Sequence, residues 1–212
     1  MSAQGALRAA KLSVAGVGSD RTAIDFALRR LGRSQPEGTV AMRVRGIESG
    51  IGLETLDGRL TLIKARGPAA ELELRAKDGR ARTHHLRARL DSGPDGFSAE
   101  LGILRLALPN GTWALAAPAR IYQEAQGFRI KGLEAKSGDQ SLLARGRLSL
   151  VGPQDFRLEV RRLDLAAASA LLPKDSDIAG QLSAALEISG TAGTPVLSVR
   201  AEVDDPSVAG QA

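Results

Sequence analysis

The sequence predicts a mainly β protein: one long antiparallel meandering sheet curled into an apolar groove, with one short α-helix near residues 164–172. Three observations predict it. Apolar residues recur at every second position over most of the chain, 24 glycines are spread where short strands need turns, and one hairpin-sized pattern returns at least three times. Successive side chains of a strand point to opposite sides, so this alternation marks antiparallel strands with one wet face.

Leu12 and Val14 open the alternation. Ile24, Phe26 and Leu28 follow, with Asp25 and Arg29 facing the other way. The stretch 19–31 also reads as a helix capped by Ser19 or Asp20, with Ile24, Ala27, Leu28 and Leu31 on one side. Its place in a long meander favours strand. Val40, Met42 and Val44 come next, set against Arg43 and Arg45. Leu60 and Leu62, Leu72 and Leu74, then Leu86, Ala88 and Leu90 continue the pattern, as do Phe97, Ala99, Leu101 and Ile103. Later, Leu148 and Leu150 lead to Phe156, Leu158 and Val160. The run Leu182, Ala184, Leu186, Ile188 is joined to Leu197, Val199, Ala201, Val203 by Gly190-Thr191-Ala192-Gly193-Thr194-Pro195. A dozen strands or more are expected. The helix is placed over 164–172 because Asp164 suits an N-cap, alanines favour helix and Pro173 marks a stop.

The repeat is the most informative feature. Gly58-Arg59-Leu60-Thr61-Leu62 returns as Gly146-Arg147-Leu148-Ser149-Leu150, and more loosely as Gly180-Gln181-Leu182-Ser183-Ala184. Each copy precedes a second element: Leu72-Glu73-Leu74-Arg75, Leu158-Glu159-Val160-Arg161 and Leu197-Ser198-Val199-Arg200. The hairpins therefore span about 58–75, 146–161 and 180–203, and the chain reads as a single repetitive segment over 1–212. One such hairpin cannot bury its apolar face alone, whereas copies side by side make a sheet with one continuous apolar side. That side must pack on a second sheet, close into a barrel or curl into a trough. Aromatic residues are only 3% of the chain, too few to fill a wide interior, which favours a partly open trough over a sandwich. Its lining is expected to be Leu60, Leu62, Leu72, Leu74, Leu148, Leu150, Leu158, Val160, Leu182, Leu186, Ile188, Leu197, Val199 and Val203. Arg59, Glu73, Arg147, Glu159 and Arg200 are expected to face water.

Hydrophobic residues make up 43% of the chain and charged residues of both signs 25%, which argues against disorder. The net charge is +5, but the basic residues alternate singly with apolar ones and few rings are present for bases to stack on. Nucleic acid is not an expected partner. The absence of cysteine removes disulfide and thiolate chemistry. No run is apolar enough for a signal-peptide core or a membrane span, and "DDPSVAGQA" ends without a closing element. The chain is therefore expected to be a piece of a longer exported protein.

Little chemistry is visible. His84 and His85 are adjacent strand residues, so they point to opposite faces and cannot serve one site; both are read as solvent-side. Gly16-Val17-Gly18-Ser19-Asp20 has a G-x-G without a third glycine and reads as a turn. Asp204-Asp205 offers too few ligands for calcium. No enzyme activity, metal or cofactor is expected.

The segment Asn110-Gly111-Thr112-Trp113-Ala114-Leu115-Ala116-Ala117-Pro118-Ala119-Arg120-Ile121 resembles one in the TamB family, the inner-membrane-anchored subunits of the bacterial translocation and assembly module. The flanks agree. "ARTHHLRARLDSGPDGFSAELGILRL" resembles the paired strands before that segment. "LDLAAASALLPKDSDIAGQLSAALEISGTAGTPVLSVRAEV" resembles the family's short helix, glycine-led strand, G-T-x-x-x-P-x-L turn and further strand. The resemblance covers roughly residues 10–203. It implies a long periplasmic β-structure with a taco-shaped, apolar-lined groove, related to AsmA-like and bridge-like lipid-transfer proteins. It further implies anchorage to the inner membrane through a segment absent from this chain. The implied partners are phospholipid acyl chains and an outer-membrane barrel of the TamA/BamA type met by other parts of the full-length protein. The implied roles are phospholipid movement between membranes and outer-membrane protein or autotransporter assembly. The alternatives are a chaperone-like binder of unfolded outer-membrane strands by β-augmentation and a purely structural β spacer.

Overall fold

The computed structural model describes residues 1–14, 17–30, 36–48, 53–65, 67–93, 96–124, 126–169 and 178–208. One antiparallel sheet of 14 strands accounts for nearly all of them. Its first strands are β1 (Ser2–Val14), β2 (Val17–Arg29), β3 (Glu37–Glu48), β4 (Leu53–Ile63), β5 (Ala69–Asp78), β6 (Thr83–Gly93) and β7 (Gly96–Leu108). There follow β8 (Gly111–Leu115), β9 (Ala119–Glu124), β10 (Gly127–Ser137), β11 (Gln140–Ser149) and β12 (Asp155–Asp164). After the short α1 (Leu165–Ser169), β13 (Ile178–Thr191) and β14 (Thr194–Val208) complete it. Strand order follows chain order, with β9 off the main path beside β10. The chain forms two compact units, Met1–Leu104 and Arg105–Ala212.

In the first unit the stretch open to a helical reading is strand β2. It pairs on both sides, with Ile24 opposite Leu7 and Met42, and Phe26 opposite Gly5 and Val40. Two ladders satisfy its backbone, so the amphipathic helix has no advantage. Register then sets transverse rows across β1 to β6. One row reads Gly5, Phe26, Val40, Leu60, Leu72, Ala88; the next reads Leu7, Ile24, Met42, Gly58, Leu74, Leu86. Small residues sit beside large ones. A Cβ on Gly5 would lie 2.7 Å from the Phe26 ring, and one on Gly58 would lie 3.1 Å from Leu74. The G-x-G stretch lies mostly within β2, whose Val17 pairs with Val14; residues 15 and 16 lie outside the described residues.

In the second unit β8 and β9 form two parts of one row beside β10. Leu115 lies opposite Ala135 and Ile121 opposite Ile130. The row breaks at Pro118, which has no N–H to donate. Nearby, Gly132 at φ 68° forms a bulge that keeps Ile130 and Leu133 on one face. Arg162 (φ 51°) does the same for β12, so Val160 and Leu163, three apart, lie opposite Ala184 and Leu182. Asp164 caps α1 as expected, accepting a hydrogen bond from Ala167 N–H at 3.1 Å. The described helix is one short turn packed on β12 and β13; residues 170–177, with the Pro173 stop, lie outside the described residues.

One expectation is corrected. The six-residue joint at 190–195 is a tight hairpin: Thr191 pairs with Thr194 and Gly190 with Pro195, leaving Ala192-Gly193 as the turn. Proline is tolerated there because β14 ends the strand order. The repeat copies differ in register. Leu60 lies opposite Leu72, whereas Leu158 lies opposite Ala144 and Leu197 opposite Ile188. The face is repeated, and the pairing within it is not.

Neither unit has a thick core. Among the described residues the buried apolar set is mostly alanine, including Ala69, Ala70, Ala76, Ala88 and Ala144. One cluster is larger: Leu108, Trp113 and Ala135, with Leu106, Leu142 and Leu163 against it. Apart from α1, most backbone contacts within each unit run between sheet neighbours, while Asn110 and the Trp113 cluster reach across to Asp164 and Leu163 on β12.

Candidate functional site: an apolar sheet face

The register brings the expected lining residues onto one face within each unit. In the first, Leu60 and Leu62 on β4 share a face with Leu72 and Leu74 on β5. In the second, three rows cross the sheet: Phe156, Ile188, Leu197; Leu158, Leu186, Val199; and Val160, Ala184, Ala201. Leu182 and Val203 extend them, and Leu148 lies opposite Phe128 on the same side. Leu150 is the exception. It follows the end of β11, is 81% exposed and lines nothing; the chain leaves the strand at Ser149.

The inner strands hold this face half-buried, while at β14 Leu197 and Val199 are 62% and 60% exposed. The gradient has a simple cause: each side chain is covered from the strands on either side, and β14 has a neighbour on one side only. In the first unit Thr22 and His84 share one row at an end of the face, where Ser19 lies 2.9 Å from Thr22 and Asp78 lies 3.6 Å from His84.

The reverse face is ionic. In the first unit Arg8 meets Asp25 at 2.6 Å, Arg45 meets Asp57 at 3.0 Å and Arg87 meets Glu71 at 3.1 Å. In the second, Glu124 takes both Arg129 and Arg147 at 2.7 Å, and Arg157 lies 3.1 Å from Glu187. Each exposed pair contributes about 0–1 kcal/mol, so their main effect is to hold this face wet and in register. Arg59 and Glu73 lie opposite each other there, as do Arg147 and Asp155, and the row Glu159, Ala185, Arg200 crosses β12 to β14.

The histidines point to opposite faces, His84 opposite Ala76 and His85 opposite Arg75. Neither is solvent-side, which corrects the sequence reading: their side chains are 12% and 23% exposed, because β6 is an interior strand. His85 Nε2 lies 3.1 Å from Glu73 Oε1. The Arg75 hydrogen bond, helped by His85, holds the Glu73 carboxyl below its usual value.

Sequence reasoning missed Asp78. Its side chain is 8% exposed and closes the β5–β6 turn. It accepts hydrogen bonds from Arg80 N–H (3.0 Å), Arg82 N–H (2.9 Å) and Arg82 Nε (2.6 Å). Burial opposes its charge most strongly, yet the bonds from Arg82 and Arg80 together outweigh burial and lower its pKa. The signal was present in Asp78-Gly79, a strong turn dipeptide. Asn110, Gln140 and Asp164 were missed as well. Asn110 Nδ2 donates to Asp164 Oδ2 at 2.9 Å, and Asp164 N–H donates to Gln140 Oε1 at 2.9 Å, which ties two turns to the helix start.

Fold and face together define a class: a repetitive single-sheet β protein whose units each have one apolar and one ionic side. Comparison with family models, with curated proteins and with solved structures gives no match.

Proposed function

We propose that the apolar face is a path for the acyl chains of phospholipids. On this reading the chain is a segment of a longer periplasmic protein that moves lipid between two membranes or supports outer-membrane assembly, and it catalyses nothing. The observation that supports this is the face itself: rows of Leu, Val, Ile and Ala across β12 to β14, met by the Trp113 cluster at Leu163 and by no second sheet from the same unit among the described residues. Withdrawing a CH₂ group from water gains about 0.8 kcal/mol, so an acyl chain is attracted to such rows. No polar group within them holds it at one place, and it slides. Native mass spectrometry of the purified protein tests the reading. Bound phospholipid released at raised collision energy is the expected result, and lipid-free protein from lipid-rich extracts counts against it.

A second reading rests on β14. Every residue from Thr194 to Ser207 is exposed, and the strand ends the strand order with one ladder of backbone groups unpaired among the described residues. An unfolded strand adding there by β-augmentation would make the protein a holder of outer-membrane clients. Peptides of alternating apolar pattern, titrated against amide exchange in β14, separate the two readings.

A further inference from the structure

Among the concavities of the reverse face, one differs in charge. Three others mix signs: Glu71, Arg87, Arg89 and Glu100; Arg157, Glu159, Arg200 and Glu202; and Arg43, Asp57, Arg59 and Glu73. The concavity over β1 to β3 has Arg8, Arg21, Arg43 and Arg45 around a floor of Ala10 and Ala23, and no acid in its wall. Register explains the gathering. Arg8, Ala23 and Arg43 form one transverse row, and Ala10, Arg21 and Arg45 form the next. Arg8, Arg43 and Arg45 stand at three corners and Arg21 in the middle of the second row, while Ala23 and Ala10 leave room between them.

The acids nearby are already engaged. Asp25 takes Arg8, and both oxygens of Asp57 accept from Arg45 at 3.0 and 3.1 Å. Arg43 lies directly opposite Asp57 in the ladder and still donates no hydrogen bond to it. Among the described residues Arg21 and Arg43 have no carboxylate within ion-pair reach. Arg21 stands directly opposite Arg45, and like charges in that relation destabilise a sheet unless an anion lies between them. Arg59, Arg145 and Arg200 on the reverse face also lack an ion-pair partner among the described residues, so the mark of this place is the gathering of four arginines about one concavity with no acid in its wall.

We propose that this concavity binds a phosphate group. A phosphate oxyanion offers several acceptors to guanidinium forks, which match it in bidentate fashion, and the alanine floor lets it approach them together. None of the concavity's wall residues is aromatic, so it holds the phosphate and gives a base nothing to stack on. The site is on the face opposite the apolar rows and stands whether or not those rows carry lipid.

The test uses pyrophosphate in calorimetry and vesicles of phosphatidylcholine, with and without phosphatidate, in co-sedimentation. The variant is R21Q/R43Q. Its control is R75Q/R87Q, which removes the same charge from arginines that already have carboxylate partners. We expect the unaltered protein to bind, R21Q/R43Q to lose about tenfold or more, and the control to lose about threefold or less, since non-specific attraction follows charge alone. Ala23→Glu, which places a carboxylate on the floor, should abolish binding independently. Pyrophosphate binding identifies a soluble ligand, whereas binding only to phosphatidate vesicles identifies a headgroup. Failure of both probes, equal loss in variant and control, or preference for a single-stranded oligonucleotide over both probes would overturn the proposal.

Discussion

Leu186→Arg decides whether the apolar face is open. Leu186 stands half-buried between Leu158 on β12 and Val199 on β14. Fully burying a leucine stabilises by roughly 1.5–3 kcal/mol, so a half-buried one contributes about 1 kcal/mol. An arginine there can lay its methylenes across Val199, itself 60% exposed, and carry its guanidinium past the sheet edge into water. The net cost is then about 1–2 kcal/mol, a fall in Tm of roughly 2–8 °C for a protein of this size. Beneath a second layer the same charge would be buried without a partner and cost about 3–5 kcal/mol. Thermal melting by circular dichroism reads the cost, and titration with a fluorescent phospholipid reads the function. The open face predicts a folded variant that no longer binds lipid. Destabilisation of about 4 kcal/mol or insoluble protein refutes the open face. A folded variant with unchanged lipid affinity refutes the conduit.

Three further outcomes are expected. Asp78→Asn should cost about 1.5–3 kcal/mol, the range for hydrogen bonds to a charged group. Folding holds the Asp78 carboxyl below its ordinary 3.8, so its contribution is complete above that value and is lost as pH falls beneath it; urea midpoints of the wild type should drop on acidification more than those of the variant. Gly146→Ala should cost about 2–3 kcal/mol or more, because φ is 107° and the new Cβ would strike the Asp155 carbonyl. Gly102→Ala, with nothing nearer than 4.0 Å, should be neutral or stabilising, and chemical denaturation of the pair checks both. Replacing His84 and His85 together by Gln should lower stability by about 0.5–1.5 kcal/mol, through the lost contact of His85 with Glu73, and leave lipid binding unchanged in the same titration.

Alternation made the strands and the face legible, since a period of two admits one assignment of sides once a single residue is placed. It chose strand for β2 on context, and the two ladders of Ile24 and Phe26 give the physical reason. It failed where the period breaks. Val160 and Leu163 differ in parity, and only the left-handed Arg162 puts them together. Leu150 continued the pattern in sequence after the ladder had ended, because alternation carries no information about where pairing stops. Register inside the repeated hairpins was likewise hidden: Leu158 faces Ala144, a partner set by where the strands turn. Asp78 and the arginine concavity depend on which residues stand across from one another, and no one-dimensional pattern records that.

Contacts that run mostly between sheet neighbours bring each unit close to the energetics of a linear chain of couplings. Adding or deleting a hairpin changes the free energy by that hairpin and one junction, and the remaining junctions keep their geometry. Such a protein can change length by duplication without redesigning an interior. Its melting should be graded from the ends inward, with the terminal strands exchanging their amide hydrogens first. Strength against pulling would differ by direction: a load along the strands shears many hydrogen bonds at once, and a load across them opens the ladders one bond at a time.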